Sequence, residues 1–338
     1  MAPLRWGIAS AGKISHDFAT AVGTLPADEH RIVAVAARKL ADAQKFATLH
    51  DIGTAHEGYE ALAKNPNVDV VYIGAVNNAH YEIGLMMLDQ GKHVLCEKPL
   101  CINEGQSKRL LQRATERKRF LMEAIWSRFF PHYRLLRERI GRGELGDVRE
   151  VEVEFGFVLS DIDRLRLKSL GGGTVLDLGV YTIQACLWAF GGKAPTKVLA
   201  SGVTNDEGVD LEMTAEMHFP GGGIARMKTS ALKELKNTAT IRGSKASITL
   251  HDFWSPLKLT DTDGTVREDT LPPARHSFNF NNSYGLRYEA EEVRQCIQAG
   301  RMQSESVSHA DSLLIAHIQD EIRKQIGVEF PEDAQFAP

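Results

Sequence analysis

The stretch Leu4-Arg5-Trp6-Gly7-Ile8-Ala9-Ser10-Ala11-Gly12-Lys13-Ile14-Ser15 decides the fold. Its first half is short and apolar, its middle is made of small residues, and residues 12–24 carry apolar positions at helical spacing. That pattern is a buried strand entering a helix through a tight turn. The unit then repeats. Strands are predicted over 4–9, 31–37, 68–75, 93–97 and 120–125, all apolar as in strands covered on both faces. Helices are predicted over 12–24, 40–50, 59–65, 79–90 and 103–118, the last opened by Asn103 with Gln106 three residues on. Strand–helix repetition means a parallel sheet with right-handed crossovers, a doubly wound α/β (Rossmann) domain.

The turn itself admits two readings. Gly7 to Lys13 matches the triphosphate spacing G-x-x-x-x-G-K, but Ile14 stands where a magnesium-binding hydroxyl belongs, and Gly7 lies inside the strand. Under the dinucleotide pattern G-x-G-x-x-G the three positions hold Ser10, Gly12 and Ser15. Glycine survives where backbone and pyrophosphate approach most closely, and Lys13 and Ile14 open the helix whose N-terminus would face phosphate. At the end of the second strand, Arg38-Lys39 stands where an acid would bond the ribose 2′-hydroxyl. Two cations favour NADP, because guanidinium matches phosphate with paired hydrogen bonds. The plainer reading of Arg38 and Lys39 is a solvated strand end.

A length of 338 residues suggests two domains, here 1–125 for the dinucleotide and 126–338 for substrate and dimerisation. After residue 125 the rhythm changes. Val151, Val153, Phe155 and Phe157 alternate with Glu150, Glu152 and Glu154, and Leu211, Met213, Ala215, Met217 and Phe219 alternate with polar residues. Period-two strands joined by glycine turns predict an α+β domain with an open, mostly antiparallel sheet, helices near 173–190, 285–299 and 309–326 covering one face. A second copy of the chain is expected on the other face, giving a homodimer. A net charge of −4 argues against nucleic acid, and no apolar run reaches the roughly 18 residues that cross a bilayer. The start lacks the apolar core of a secretory signal. Four cysteines at irregular spacing point to a reducing, cytoplasmic setting. The twelve histidines are scattered, so no metal site is expected.

Gly91-Lys92-His93-Val94-Leu95-Cys96-Glu97-Lys98-Pro99-Leu100 carries the chemistry. Glu97 and Lys98 fall at the carboxyl end of a buried strand, where open α/β sheets bind ligands, and Pro99 restricts how Lys98 is presented. An internal Glu97–Lys98 ion pair is the structural alternative. Further on, Asp177, Tyr181 and Gln184 lie at i, i+4 and i+7 of a helix and share one face.

The first of these segments resembles the signature of the glucose–fructose oxidoreductase, inositol dehydrogenase and rhizopine-catabolism family of NAD(P)-dependent oxidoreductases. Val76-Asn77-Asn78-Ala79-His80, Met122-Glu123-Ala124-Ile125-Trp126-Ser127-Arg128-Phe129-Phe130-Pro131 and Tyr288-Glu289-Ala290 are similar to that family's motifs in order, the last two to its sugar- and diol-oxidising branch. The resemblance implies that Asn77, His80, Glu97 and Lys98 meet the cofactor. It also implies that Trp126, Arg128, Phe155 and Phe280, with Trp254, surround the substrate beside Asp177 and Tyr181.

The chemistry needs a base, since hydride can leave a carbinol carbon only if the hydroxyl proton leaves too. An isolated phenol titrates near about 10, and a neighbouring ammonium lowers that. Tyr181 is therefore read as general acid/base, Lys98 as the cation that tunes it, and Asp177 as orienting substrate or Lys98. Lys98 as the proton-transfer group is equally sound. The expected function is an NADP-dependent oxidoreductase acting on a sugar or cyclic diol hydroxyl. The alternatives are a carbonyl or sugar reductase of the same family and a non-catalytic NADP-binding redox sensor.

Overall fold

A computed structural model describes residues 2–336. The chain groups into two units: Met1–Leu100 with Ser107–Phe129 and Leu271–His309, and Cys101–Gln106 with Phe130–Thr270 and Ala310–Pro338. Each unit is thus drawn from more than one stretch of the chain. Residues 271–309 return to the first unit, because a helix and its leading loop pack wherever their apolar faces find a partner, whatever their place in sequence.

In the first unit the elements run β1 (Leu4–Ala9), α1 (Lys13–Val22), β2 (His30–Ala37), α2 (Leu40–His50), β3 (Thr54–Glu57), α3 (Tyr59–Ala63), β4 (Val70–Ile73), α4 (His80–Asp89), β5 (His93–Cys96), α5 (Glu104–Arg117) and β6 (Leu121–Glu123). All six strands are parallel, in the order β3-β2-β1-β4-β5-β6. This is the doubly wound order, with its direction of winding reversing between β1 and β4. Trp6, Ile8, Val71, Tyr72, Val94 and Leu95 are fully buried between the helical layers. The register places Ala9 beside Ala36 and Ile73, and Ile73 beside Cys96. The segments that follow β1, β4 and β5 therefore leave one edge of the sheet at one level.

The second unit holds α6 (Pro131–Gly141), β7 (Val148–Gly156), α7 (Asp163–Arg166), α8 (Val180–Ala189), β8 (Lys197–Thr204), β9 (Asp210–His218), β10 (Ile224–Ser230), β11 (Thr238–Gly243), β12 (Ser247–His251), β13 (Lys258–Asp261) and β14 (Val266–Glu268). Its sheet runs β14-β13-β12-β11-β7-β10-β9-β8 and is antiparallel except where β10 pairs parallel with β7. Val151, Val153, Phe155, Met213, Ala215, Met217 and Met227 form the dry face, against which α8 packs. On the wet face Arg226 pairs with Glu150 at 2.7 Å and Glu216 at 2.9 Å, and Arg242 with Glu152 at 2.6 Å. Three more helices close the chain, α9 (Leu286–Gln298), α10 (His309–Ile326) and α11 (Pro331–Gln335).

Candidate active site

Ser10 leaves β1 with φ of 89° and donates its backbone N–H to Ala36 O at 2.9 Å. That is glycine territory, and serine occupies the first position of the dinucleotide pattern at a conformational cost. Gly12 caps α1; a Cβ there would meet nothing closer than Ser10 Oγ at 3.7 Å, so its hydrogen leaves open space before the helix. No side chain caps α1 and its first turn holds no acid. At the third position Ser15 is buried, and the close approach falls on Gly74 opposite, where a Cβ would lie 2.4 Å from Ser15 Oγ. Uncapped N–H groups, Lys13 alongside and an open glycine fit a pyrophosphate.

Arg38 and Lys39 are exposed at the end of β2. Tyr59, at the start of α3, hydrogen-bonds Ser10. Burial pushes its phenol up, while Arg38 and that hydrogen bond pull the other way. The geometry thus joins Ser10, Arg38 and Tyr59 in one corner. Sequence reasoning missed Tyr59, because β2 and β3 intervene along the chain between it and Ser10.

After β5, Glu97 is buried and accepts the Tyr72 hydroxyl at 2.5 Å and the Lys98 backbone N–H at 3.2 Å. Tyr72 in turn stacks on Phe18, ring centroids 3.8 Å apart. Pro99 O meets His80 Nδ1 at 2.8 Å, and Leu100 N–H donates to Glu123 Oε1 at 2.9 Å. Lys98 thus stands half-buried on a turn tied at both sides. The Lys98–Pro99 bond is cis. His80 is fully buried, and its second nitrogen meets Ala75 O at 3.1 Å. Both nitrogens face backbone carbonyls, of which a neutral imidazole donates to one, and the ring sits between the loop after β4 and the Lys98 turn. Asn77 sits half-buried in a short 3₁₀ turn just before it. Glu289 on α9 is fully buried with no donor on either oxygen among the described residues; burial and then the charge of Glu97 push its carboxyl well up.

In the second unit the expected single helix begins with a π-helical turn, Val175–Gly179, before α8. Gly173 at φ of 106° starts it; a Cβ there would lie 2.4 Å from Asp210 Oδ1. The other Asp210 oxygen accepts Thr174 Oγ1 at 2.6 Å and Val175 N–H at 2.8 Å, a cap supplied from β9. Wide turns of this kind frequently mark functional positions, and this one contains Asp177. Asp177 is buried and pairs with Arg164 Nη1 at 2.6 Å, a partner on α7 that helix spacing does not reveal. Gln184 donates to Tyr133 Oη at 3.0 Å, which explains a buried amide in the core.

Tyr181 is 7% exposed and stands edge-on to Phe155, centroids 5.5 Å apart at 87°. Phe155 stacks on Trp254 at 4.7 Å, and Phe157 and Phe253 complete the cluster. The structure therefore joins Tyr181, Phe155 and Trp254. Trp126 and Arg128 share a buried 3₁₀ turn of the first unit, where Arg128 donates to Ser306 O at 3.0 Å. Phe280, 38% exposed, lies in the loop before α9. Among the described residues one trio, Glu29, His30 and Glu291, offers three potential metal ligands. Arg294 holds both Glu291 oxygens, at 2.6 and 2.8 Å, and Trp6 Nε1 donates to His30 Nδ1, which explains the cluster as an ion-pair network.

Residues 4–125 match the pattern of an oxidoreductase family with an NAD-binding Rossmann fold, and residues 133–249 match the GFO/IDH/MocA C-terminal domain. The chain belongs to the GFO/IDH/MocA oxidoreductase family. It is 44% identical to a trans-1,2-dihydrobenzene-1,2-diol dehydrogenase of Danio rerio, over 98% of this chain and 99% of that one. The human protein of the same name is 41% identical over 98% and 99%. Among solved structures, levoglucosan dehydrogenase in complex with NADH and levoglucosan is similar in fold, with TM-score 0.84, 19% identity and coverage of 96% and 97%. KijD10, a 3-ketoreductase from Actinomadura kijaniata in complex with NADP, gives 0.81 at 24% identity, covering 96% and 98%. This family member is therefore an oxidoreductase with a dinucleotide-binding domain.

Proposed function

We propose that the chain is an NADP-dependent dehydrogenase oxidising a secondary or hemiacetal hydroxyl of a sugar or cyclic diol. The activities it fits are those of D-xylose 1-dehydrogenase and trans-1,2-dihydrobenzene-1,2-diol dehydrogenase. The observation that carries the reading is Lys98, held on a fixed turn at the same sheet edge as Ser10 and Gly12. A sensor that only binds coenzyme has no use for an ammonium there. Arg38 and Lys39, both exposed beside Ser10, support NADP: a 2′-phosphate would find guanidinium and ammonium where NAD would need a carboxylate.

When bound, the nicotinamide supplies the hydride acceptor. Tyr181 takes the hydroxyl proton on Oη, so that a neutral carbonyl forms. Lys98 Nζ favours the phenolate and donates a hydrogen bond to the substrate oxygen. Asp177, neutralised by Arg164, orients the remaining hydroxyls. Phe155 and Trp254 offer flat apolar walls suited to a pyranose face or a cyclohexadiene ring. A second copy of the chain is the proposed cover of the open sheet face of the second unit, and four buried cysteines support a reducing cytoplasm.

Purified protein incubated with NADP and a panel of pentoses, hexoses and cyclic vicinal diols tests the reading. Reduced-nicotinamide absorbance should rise with at least one of them, and faster with NADP than NAD. Tight NADP binding without turnover on any of them would contradict it.

A further inference from the structure

Between β14 and α9 the chain runs for more than a dozen residues without regular structure, apart from one short 3₁₀ turn at Ser283–Gly285. Loops of this length in a compact fold are usually functional. This one packs with the first unit, and it is fastened to the coenzyme helix α1. Asp17, one turn after Lys13 and fully buried, does most of the fastening. Its Oδ1 accepts the Asn279 backbone N–H at 2.8 Å and the Asn279 side-chain amide at 2.8 Å; its Oδ2 accepts the Phe280 N–H at 2.9 Å. The Asn279 amide also reaches Lys13 O at 3.3 Å, and His16 Nε2 meets Ser277 O at 3.0 Å. At the loop's start Arg275 pairs with Asp51 at the end of α2.

A buried carboxylate that spends both oxygens on backbone amides fixes the φ and ψ of the residues it holds. Phe280 is one of them, yet its side chain stays 38% exposed. An exposed phenylalanine on a backbone held this firmly is being presented. We propose that Asp17 is a positioning residue for substrate: it locks Phe280 to the helix that binds the coenzyme, so that aromatic wall and nucleotide keep one geometry. The proposal rests on the reading of Phe280 as a substrate wall and of α1 as the coenzyme helix. The substrate it favours is one with an unsaturated ring face, which gains most from a fixed aromatic neighbour.

The test uses the full chain with saturating NADP, trans-1,2-dihydrobenzene-1,2-diol and D-xylose, and the variants Asp17→Asn, Asn279→Ala, Phe280→Ala and Asp17→Asn/Phe280→Ala. An asparagine at 17 keeps the volume but turns an NH₂ toward one of the held N–H groups, so at least one bond is lost. Asp17→Asn should raise KM for the diol about tenfold, with a smaller change in kcat and little change in NADP affinity. Asn279→Ala, on an exposed residue, should move KM in the same direction. The double variant should match Phe280→Ala, because both lesions act through one contact. Hydrogen exchange at Asn279 and Phe280 should rise in Asp17→Asn while α1 stays protected.

Faster exchange with an unchanged diol KM would make Asp17 a purely structural anchor and overturn the proposal, as would additivity in the double variant. A Phe280→Ala enzyme with unaltered KM would instead defeat the substrate-wall reading beneath it. Absence of turnover in the parent enzyme would defeat the dehydrogenase reading.

Discussion

Gly74→Ala tests how this chain tolerates serine at the third position of its dinucleotide turn. The added Cβ would lie 2.4 Å from Ser15 Oγ, 3.0 Å from Tyr72 Cε1 and 3.3 Å from Ile14 Cγ2. Ser15 Oγ can rotate, and no hydrogen bond holds it. Tyr72 has no such freedom, being stacked on Phe18 and bonded to Glu97 at 2.5 Å. Part of the overlap is therefore fixed, and overpacking of this kind costs about 1–3 kcal/mol. The strain falls on the start of α1, so NADP affinity should drop about tenfold for each ~1.4 kcal/mol that pushes the helix off its place. Ser15→Ala alone removes a buried, unpartnered hydroxyl and should stabilise slightly. In the double variant the closest overlap is gone, and Gly74→Ala should cost about 1 kcal/mol less than in the parent chain. Urea denaturation and NADP titration by intrinsic fluorescence on the four proteins measure both effects. Strictly additive effects would show that Gly74 and Ser15 do not share the load and would refute the packing argument.

Arg38→Asp should weaken NADP by about 10- to 100-fold, with NAD much less affected, as read by coenzyme titration; equal loss for both would remove Arg38 from the 2′-phosphate site. Ser10→Gly relieves a φ of 89° but removes the hydroxyl that Tyr59 bonds, so the two effects of about 1 kcal/mol should nearly cancel, whereas in a Tyr59→Phe background the same change should raise the denaturation midpoint. His50 is pushed down to about 4, first by burial and then by His16 and His276, and burial also takes His93 to about 4. Between that value and the ordinary histidine range the folded state binds fewer protons than the unfolded one. Stability should therefore be full above that range and fall as pH drops through it, and His50→Gln should flatten the melting-temperature profile.

Much of the first unit was legible because buried parallel strands are short apolar runs and their helices are amphipathic. β3 escaped because Thr54-Ala55-His56-Glu57 has no apolar run; it is an edge strand, identifiable only by its pairing with β2. β8 escaped for a similar reason, with Leu199 and Val203 exposed and no clean alternation. The parallel β7–β10 pair is invisible to periodicity, since a period of two is the same in either direction. Lys98, Tyr181 and Asp177 could be singled out from spacing and motif. Their partners could not: Arg164 for Asp177, Asp210 beneath the π turn, Tyr59 beside Ser10 and the Asp17 anchor are all contacts made across the fold.

Under the proposed function Tyr181 takes the proton, Lys98 is the cation that tunes it, and the dinucleotide turn holds the coenzyme. Turnover with NADP and the best substrate of the panel, measured for Lys98→Met and Tyr181→Phe beside direct NADP titration, tests that division of labour most directly. Turnover should fall about 10²- to 10⁴-fold in each variant while NADP affinity stays near that of the parent. Turnover close to the parent's in both variants would contradict it.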